Sequence, residues 1–202
     1  DAARWRSGRA VINAAAYTAV DNAETLEGRR EAWAANAHGV AALASVCEEA
    51  NLPLVPVPPD YVFDGTLPVG QEYSVEHPIA PLSVYGASKA AGESAATAWR
   101  KHYLLRTSWV VGEGKNFVAT MASLAERGVN PAVVADQWGR PTFTQDLAGA
   151  ALHLLFTGAP YGTYHVSNSG EVITWADLAR AVYTGTGHDA ARVSNTTTAE
   201  YF

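Results

Sequence analysis

Two rhythms of apolar positions run along this chain. Val11 to Ala16 is a short apolar run ending in small residues, the pattern of a buried parallel strand that opens onto a ligand at its carboxyl end. From about Arg29 to Ala50, the residues Trp33, Ala37, Val40, Ala41, Ala44 and Cys47 recur at helical spacing, which predicts one helix with Asn51 as its stop. Leu54 to Val57 reads as the next strand. Pro81 closes a loop, Ser83 is placed to cap a helix behind it, and Tyr103 to Val111 is a third strand. Strand, helix, strand, helix, strand predicts a parallel sheet with right-handed crossovers and a site at the strands' carboxyl ends. Beyond Gly112 the pattern loosens. Helices over Asn116 to Arg127, Gln145 to Phe156 and Thr174 to Thr184, with strands over Ala132 to Ala135 and Thr163 to Ser167, predict a smaller lobe with some segments returning to the sheet. An approximate boundary near residue 111 divides the chain into 1–111 and 112–202.

Composition narrows the partners. The 202 residues are 48% hydrophobic, enough for a sizeable core. No apolar run approaches the ~18 to 20 residues of a membrane span. The formal charge is -6, and the scattered Lys and Arg leave no electrostatic footprint for nucleic acid. Membrane and nucleic-acid partners drop out. Cys47 is the only cysteine, which excludes an intrachain disulfide and fits a reducing, cytoplasmic compartment; the residue itself reads as a small buried hydrophobe. His38, His77, His102, His153, His165 and His188 form no H-x-x-x-H pair and have no carboxylate at ligand spacing, so no metal site is expected.

The informative stretch is Pro81 to Glu93. It places Tyr85 and Lys89 four residues apart on the expected helix, on one face. An ammonium near a phenol stabilises the phenolate and lowers a pKa that is about 10 in isolation. Carbonyl reduction needs such an acid, because hydride arriving from a nicotinamide builds charge on the ketone oxygen that a tuned phenol can neutralise.

Four segments then coincide: Asn13 to Asp21, Asp60-Tyr-Val-Phe-Asp-Gly65, the Tyr85/Lys89 helix, and Asp136-Gln-Trp-Gly-Arg-Pro-Thr142. Together they resemble the dTDP-4-dehydrorhamnose reductase family of the extended short-chain dehydrogenase/reductases, over nearly the whole chain. The second and fourth segments are the more specific. The resemblance implies an α/β fold, a Rossmann-like parallel sheet with helices on both faces and a smaller C-terminal substrate-binding lobe. It implies reduction of the C4 ketone of dTDP-4-dehydro-L-rhamnose to dTDP-L-rhamnose by NADPH or NADH. Tyr85 would be the proton donor. Lys89 would hold the nicotinamide ribose and tune the phenol, Ala15, Ala16 and Tyr17 would line the cofactor, and Asp60 and Trp109 would contact the dTDP-sugar. Read as residues alone, Trp109 equally suits a core, Tyr61 packing, and Asp60 and Asp64 a turn. Homodimers are common in the family, some with a bridging Mg2+, and no residue cluster here argues for either.

Two departures stand beside these matches. The family's opening strand and Gly-rich phosphate turn have no counterpart in Asp1 to Ala10, and the family continues past Phe202, so the chain reads as a fragment. Pro58 and Pro59 also stand where the family places Ser or Thr, and proline offers neither a hydroxyl nor an amide N–H to polarise the ketone. Pro56 and Pro58 would further remove donors on one side of an inner strand. The prolines favour an alternative reading, a non-catalytic nucleotide-binding or regulatory homologue of the same fold. A related epimerase or dehydratase would keep Tyr85 and Lys89 but lack the Asp136 to Thr142 signature.

Overall fold

The computed structural model describes Trp5 and residues 7–201, which form two units. Residues up to 67, with 72–107 and 148–166, make the first; 68–71, 108–147 and 167 onward make the second.

In the first unit, β1 (Val11–Asn13) pairs in parallel with β2 (Leu54–Pro56), in the register Val11 to Leu54. β3 (Tyr103–Arg106) pairs in parallel with β8 (Gly162–His165), Tyr103 opposite Gly162. Between these two pairs the ladder is broken. Only isolated bridges, Leu54 to His102 and Pro59 to Thr107, join β2 to β3. The cause lies in the sequence. Leu54 N–H donates to Lys101 O and Asp60 N–H to Thr107 O, both 2.9 Å. That constant offset puts Pro56 and Pro58 opposite the carbonyls of Tyr103 and Leu105, where proline has no N–H to give. Poor pairing with one neighbour, anticipated from the prolines, is what the structure contains.

The expected helix over 29–50 is longer and is interrupted. Thr25, whose side chain accepts from Gly28 N–H at 3.0 Å, caps α1 (Leu26–Trp33); a π turn follows over Ala34–His38, then α2 (Gly39–Ala50). A π turn inserts a residue and rotates the helix face. Ala37, Val40, Ala44 and Cys47 are therefore buried as expected, whereas Trp33 is 37% exposed, and Ala32 and Asn36 are buried near it. Asn51 stops α2 in the left-handed region at φ 56°. Ser83 caps α3 (Val84–Thr97), accepting from Gly86 N–H at 3.0 Å. α2 and α3 pack around Leu54, Val11 and Trp99, whose Nε1 donates to Leu52 O at 2.8 Å.

The strand expected over Tyr103 to Val111 ends at Arg106, because Trp109 adopts φ 44°, a left-handed backbone that an extended strand cannot pass through. In the second unit, β4 (Val110–Val111) pairs in parallel with β7 (Thr142–Phe143), and β5 (Ala132–Val134) with β10 (Ser194–Thr196); β6 (Trp138–Gly139) runs antiparallel to β9 (Ile173–Thr174). α4 (Phe117–Glu126) is capped by Asn116, and α6 (Trp175–Gly185) by a reciprocal Thr174/Asp177 box. Their apolar faces meet over Met121, Ala125, Ala179 and Tyr183. α5 (Thr144–Thr157) and the short α7 (Thr198–Tyr201) complete the elements.

The contact between α3 and the π turn depends on Gly92, where a Cβ would overlap the Asn36 carbonyl; Gly149 in α5 has open space. Gly92→Ala should cost about 1 to 3 kcal/mol by overpacking. Gly149→Ala should gain roughly 0.5 to 1 kcal/mol from helix propensity. Urea midpoints of the two variants check this, and a Gly92→Ala midpoint at or above that of the parent would contradict the packing described.

Candidate active site

α3 buries a stripe that holds Tyr85, Ser88, Lys89 and Glu93, an unusual content for a helix core. Tyr85 is 6% and Lys89 8% exposed. Lys89 Nζ stands 5.6 Å from the centroid of the Tyr85 ring, so the expected pair is brought together, but over the ring. The consequence for the phenol is opposite to the expectation. Burial raises the Tyr85 pKa above its ordinary value, with the neighbouring Tyr61 and Asp60 adding to the effect. Burial likewise lowers Lys89, to about 8. Each group is disfavoured in its charged form by lost solvation, and in this geometry that outweighs their mutual attraction.

The segment after β2 approaches this stripe. Asp60–Val62 forms a 3-10 turn, and the Tyr61 ring meets the Tyr85 ring edge-on, with centroids 5.4 Å apart at 89°. Gly86 permits the approach, since a Cβ there would overlap the Tyr61 carbonyl. Asp60 is raised to about 6 by burial, against a lowering from its own backbone N–H. Among the described residues no group of three or more His, Cys, Asp or Glu could hold a metal ion.

The loop after β1 is pinned from the π turn. Asn36, 2% exposed, accepts from Tyr17 N–H at 3.0 Å, donates to Tyr17 O at 3.2 Å and donates to Ser88 Oγ at 3.0 Å. One amide thus ties the Ala15-Ala16-Tyr17 loop to the helix of Tyr85. Ala15 and Ala16 are exposed, while Tyr17 packs near Tyr85, Ala23 and Ala32. A cleft lined by Asn13, Ala15, Asn36, Pro58, Lys89 and Glu93 results, with Lys89 the cation in its wall. Small exposed residues on one side and an ammonium on the other fit the ribose and nicotinamide of a dinucleotide.

Sequence reading missed Asn36 and the pairing of Glu93 with Arg106. The signal for Asn36 was a polar residue within an otherwise apolar helical pattern. For Glu93 there was none, because its partner is 13 residues away on another element. Trp109 belongs to the second unit. There its indole stacks on Trp175, centroids 3.7 Å apart at 17°, and its carbonyl accepts from Thr142 N–H at 3.1 Å. A left-handed backbone at a bulky residue is costly, and such strain collects at functional positions.

Comparison with known proteins decides the family. The family model described as RmlD substrate binding domain matches residues 2–202. The chain belongs to the RmlD substrate binding domain family. It is 42% identical over 190 residues to the dTDP-4-dehydrorhamnose reductase of Mycolicibacterium smegmatis, covering 93% of this chain and 57% of that protein. The chain therefore spans less than two thirds of the length of that curated relative. Among solved structures, dTDP-4-dehydrorhamnose reductase from Bacillus anthracis in complex with NADP aligns with TM-score 0.88 at 36% identity, covering 100% of this chain and 72% of that one. The Clostridium acetobutylicum orthologue aligns with TM-score 0.90 at 35% identity, covering 100% and 70%. The resemblance read from the sequence is borne out, as is the α/β fold with parallel strands. Among the described residues no helix of this RmlD family member is long and apolar enough to cross a membrane.

The Asp60 shift makes stability depend on pH. An acid whose folded pKa lies above its unfolded value binds more protons when folded, so its contribution is fully present below pH ~4 and is lost as pH rises through about 6. Asp60→Asn should flatten the fall in urea midpoint between pH 4 and 6 and raise the midpoint at pH 7. An unchanged slope would show that Asp60 is not desolvated.

Proposed function

We propose that this protein reduces the C4 ketone of dTDP-4-dehydro-L-rhamnose to dTDP-L-rhamnose, the last step of dTDP-rhamnose synthesis, with NADPH as the preferred cofactor. One observation carries the reading: Tyr85 and Lys89 share a buried face of α3 beside a cleft whose other wall is Ala15. The dinucleotide, when bound, supplies the hydride to the ketone carbon. Tyr85 supplies the proton to the ketone oxygen, and a raised pKa keeps that proton on the phenol until the acceptor becomes basic. Lys89, at about 8, stays largely charged at neutral pH and holds the nicotinamide ribose. Ala15, Ala16 and Tyr17 line the cofactor, Asp60 meets the sugar nucleotide, and the edge-on Tyr61 fixes the Tyr85 ring. Support for NADPH comes from the NADP in the Bacillus anthracis relative. A cytoplasmic location and a homodimer accord with the same reading.

Pro58 and Pro59 favour a second one. With Pro59 where the family places a hydroxyl, the ketone lacks one polarising donor, and a non-catalytic nucleotide-binding homologue of the same fold would keep the observed geometry.

The test is steady-state NADPH oxidation with the dTDP-sugar ketone, using the protein extended to the length of its relatives. Tyr85→Phe should lower turnover about 10² to 10⁴-fold while cofactor affinity is kept. Lys89→Ala should harm both. Turnover in Tyr85→Phe equal to that of the parent would remove Tyr85 as the proton donor, and no turnover in the parent would favour the non-catalytic reading.

A further inference from the structure

Lys89 and Glu93 stand one helical turn apart on α3 and both line the cleft, at a spacing where opposite charges ordinarily pair. They do not pair. Glu93 gives both carboxylate oxygens to Arg106, with Nε to Oε1 at 3.0 Å and Nη2 to Oε2 at 2.8 Å, and the two side chains are 4% and 10% exposed. Arg106 is fixed from three further directions: Nη1 donates to Val75 O at 3.2 Å and stands 3.4 Å from His165 Nε2, and the guanidinium carbon lies 5.1 Å from the centroid of the Phe63 ring. Lys89 meanwhile makes no ion pair or hydrogen bond among the described residues.

We propose that Arg106 is a positioning residue acting through Glu93: by saturating that carboxylate it keeps the Lys89 ammonium unpaired at the cleft, free for a cofactor hydroxyl. A planar guanidinium matches both carboxylate oxygens, and the ammonium of Lys89 cannot compete with that fork. Among the described residues that line the cleft with Lys89, Glu93 is the one carboxylate. Tyr85 meets Lys89 on α3, and Asp60 and Tyr61 of the turn after β2 act on Tyr85. β1 and the π turn contribute the uncharged Asn13 and Asn36. The downward displacement of Lys89 by burial accords with an ammonium that has no carboxylate to hold it charged.

The inference rests on the cofactor role proposed for Lys89, but its test needs neither cofactor nor substrate. Trace acetylation across pH, read by mass spectrometry, gives the midpoint of Lys89, with Lys101 and Lys115, the only other lysines, as internal references. In the parent the Lys89 midpoint should lie near 8. In Arg106→Met the released Glu93 should pair with Lys89 and raise it to about 9 or above, the size of effect expected from an opposite charge in contact. Arg106→Met with Glu93→Gln should return it to the parent value. An unmoved midpoint in a folded Arg106→Met, or a raised midpoint in the double variant, would overturn the proposal. Should Arg106→Met fail to fold, the near-isosteric Glu93→Gln decides. There the freed guanidinium repels Lys89, so a modestly lowered midpoint supports Arg106 as owner of the carboxylate, and adding Arg106→Gln should return it to the parent value; a midpoint that stays lowered in Glu93→Gln with Arg106→Gln shows that Glu93 already serves Lys89 and overturns the proposal. A failed reductase assay leaves this result standing, and the reverse also holds.

Discussion

Burying a phenol, an ammonium and a carboxylate on one face of a single helix is the constraint around which the first unit is arranged. Charged groups out of water are costly unless paired or hydrogen-bonded. Each of the three on α3 meets that cost differently. Glu93 takes the guanidinium of Arg106, and its pKa still rises because burial outweighs the ion pair. Tyr85 stays neutral, with the Tyr61 ring against it. Lys89 makes no ion pair or hydrogen bond among the described residues and is displaced toward its neutral form. A buried cation without an ion pair is a poor stability device, and this one stands in the wall of a cleft, the setting in which perturbed groups concentrate at functional sites.

The same helix explains why neighbouring backbone is pinned so closely. Asn36 spends its amide on Tyr17 and Ser88, so the loop after β1 cannot drift from α3. Its polar side chain is affordable in the core because each of its atoms finds a partner. Pro56 and Pro58 act the other way, leaving β2 and β3 bridged only at their ends. The missing ladder bonds fall just before the Asp60 turn.

Much of this was legible beforehand where local chemistry decides. Ser83 and Asn51 act as the cap and the stop that the sequence suggests, and Asn116 and Thr174, where helices were expected to begin, cap them. Tyr85 and Lys89 follow from helical spacing alone. The π turn was not legible, because a one-residue insertion in a helix leaves no compositional mark and shifts burial from Trp33 to Ala32 and Asn36. The break at Trp109 hides behind an apolar run that reads as strand. Its left-handed backbone accompanies stacking on Trp175, a contact distant in sequence. The direction of the Tyr85 shift was misjudged for a related reason: spacing shows which charges are near, and burial, which only the fold reveals, set the sign.

On the proposed function Tyr85 acts at the ketone without a second donor, since Pro59 has neither a hydroxyl nor an N–H to give. The direct measurement compares NADPH oxidation with the dTDP-sugar ketone by the protein at its relatives' length and by its Pro59→Thr variant, at equal folded concentration. One preorganised donor at a developing oxyanion is worth about 10² to 10³ in rate, so the variant should gain turnover of that order. Equal rates at the speed of the reductases this chain resembles would contradict the claim, because another group would then be supplying the bond.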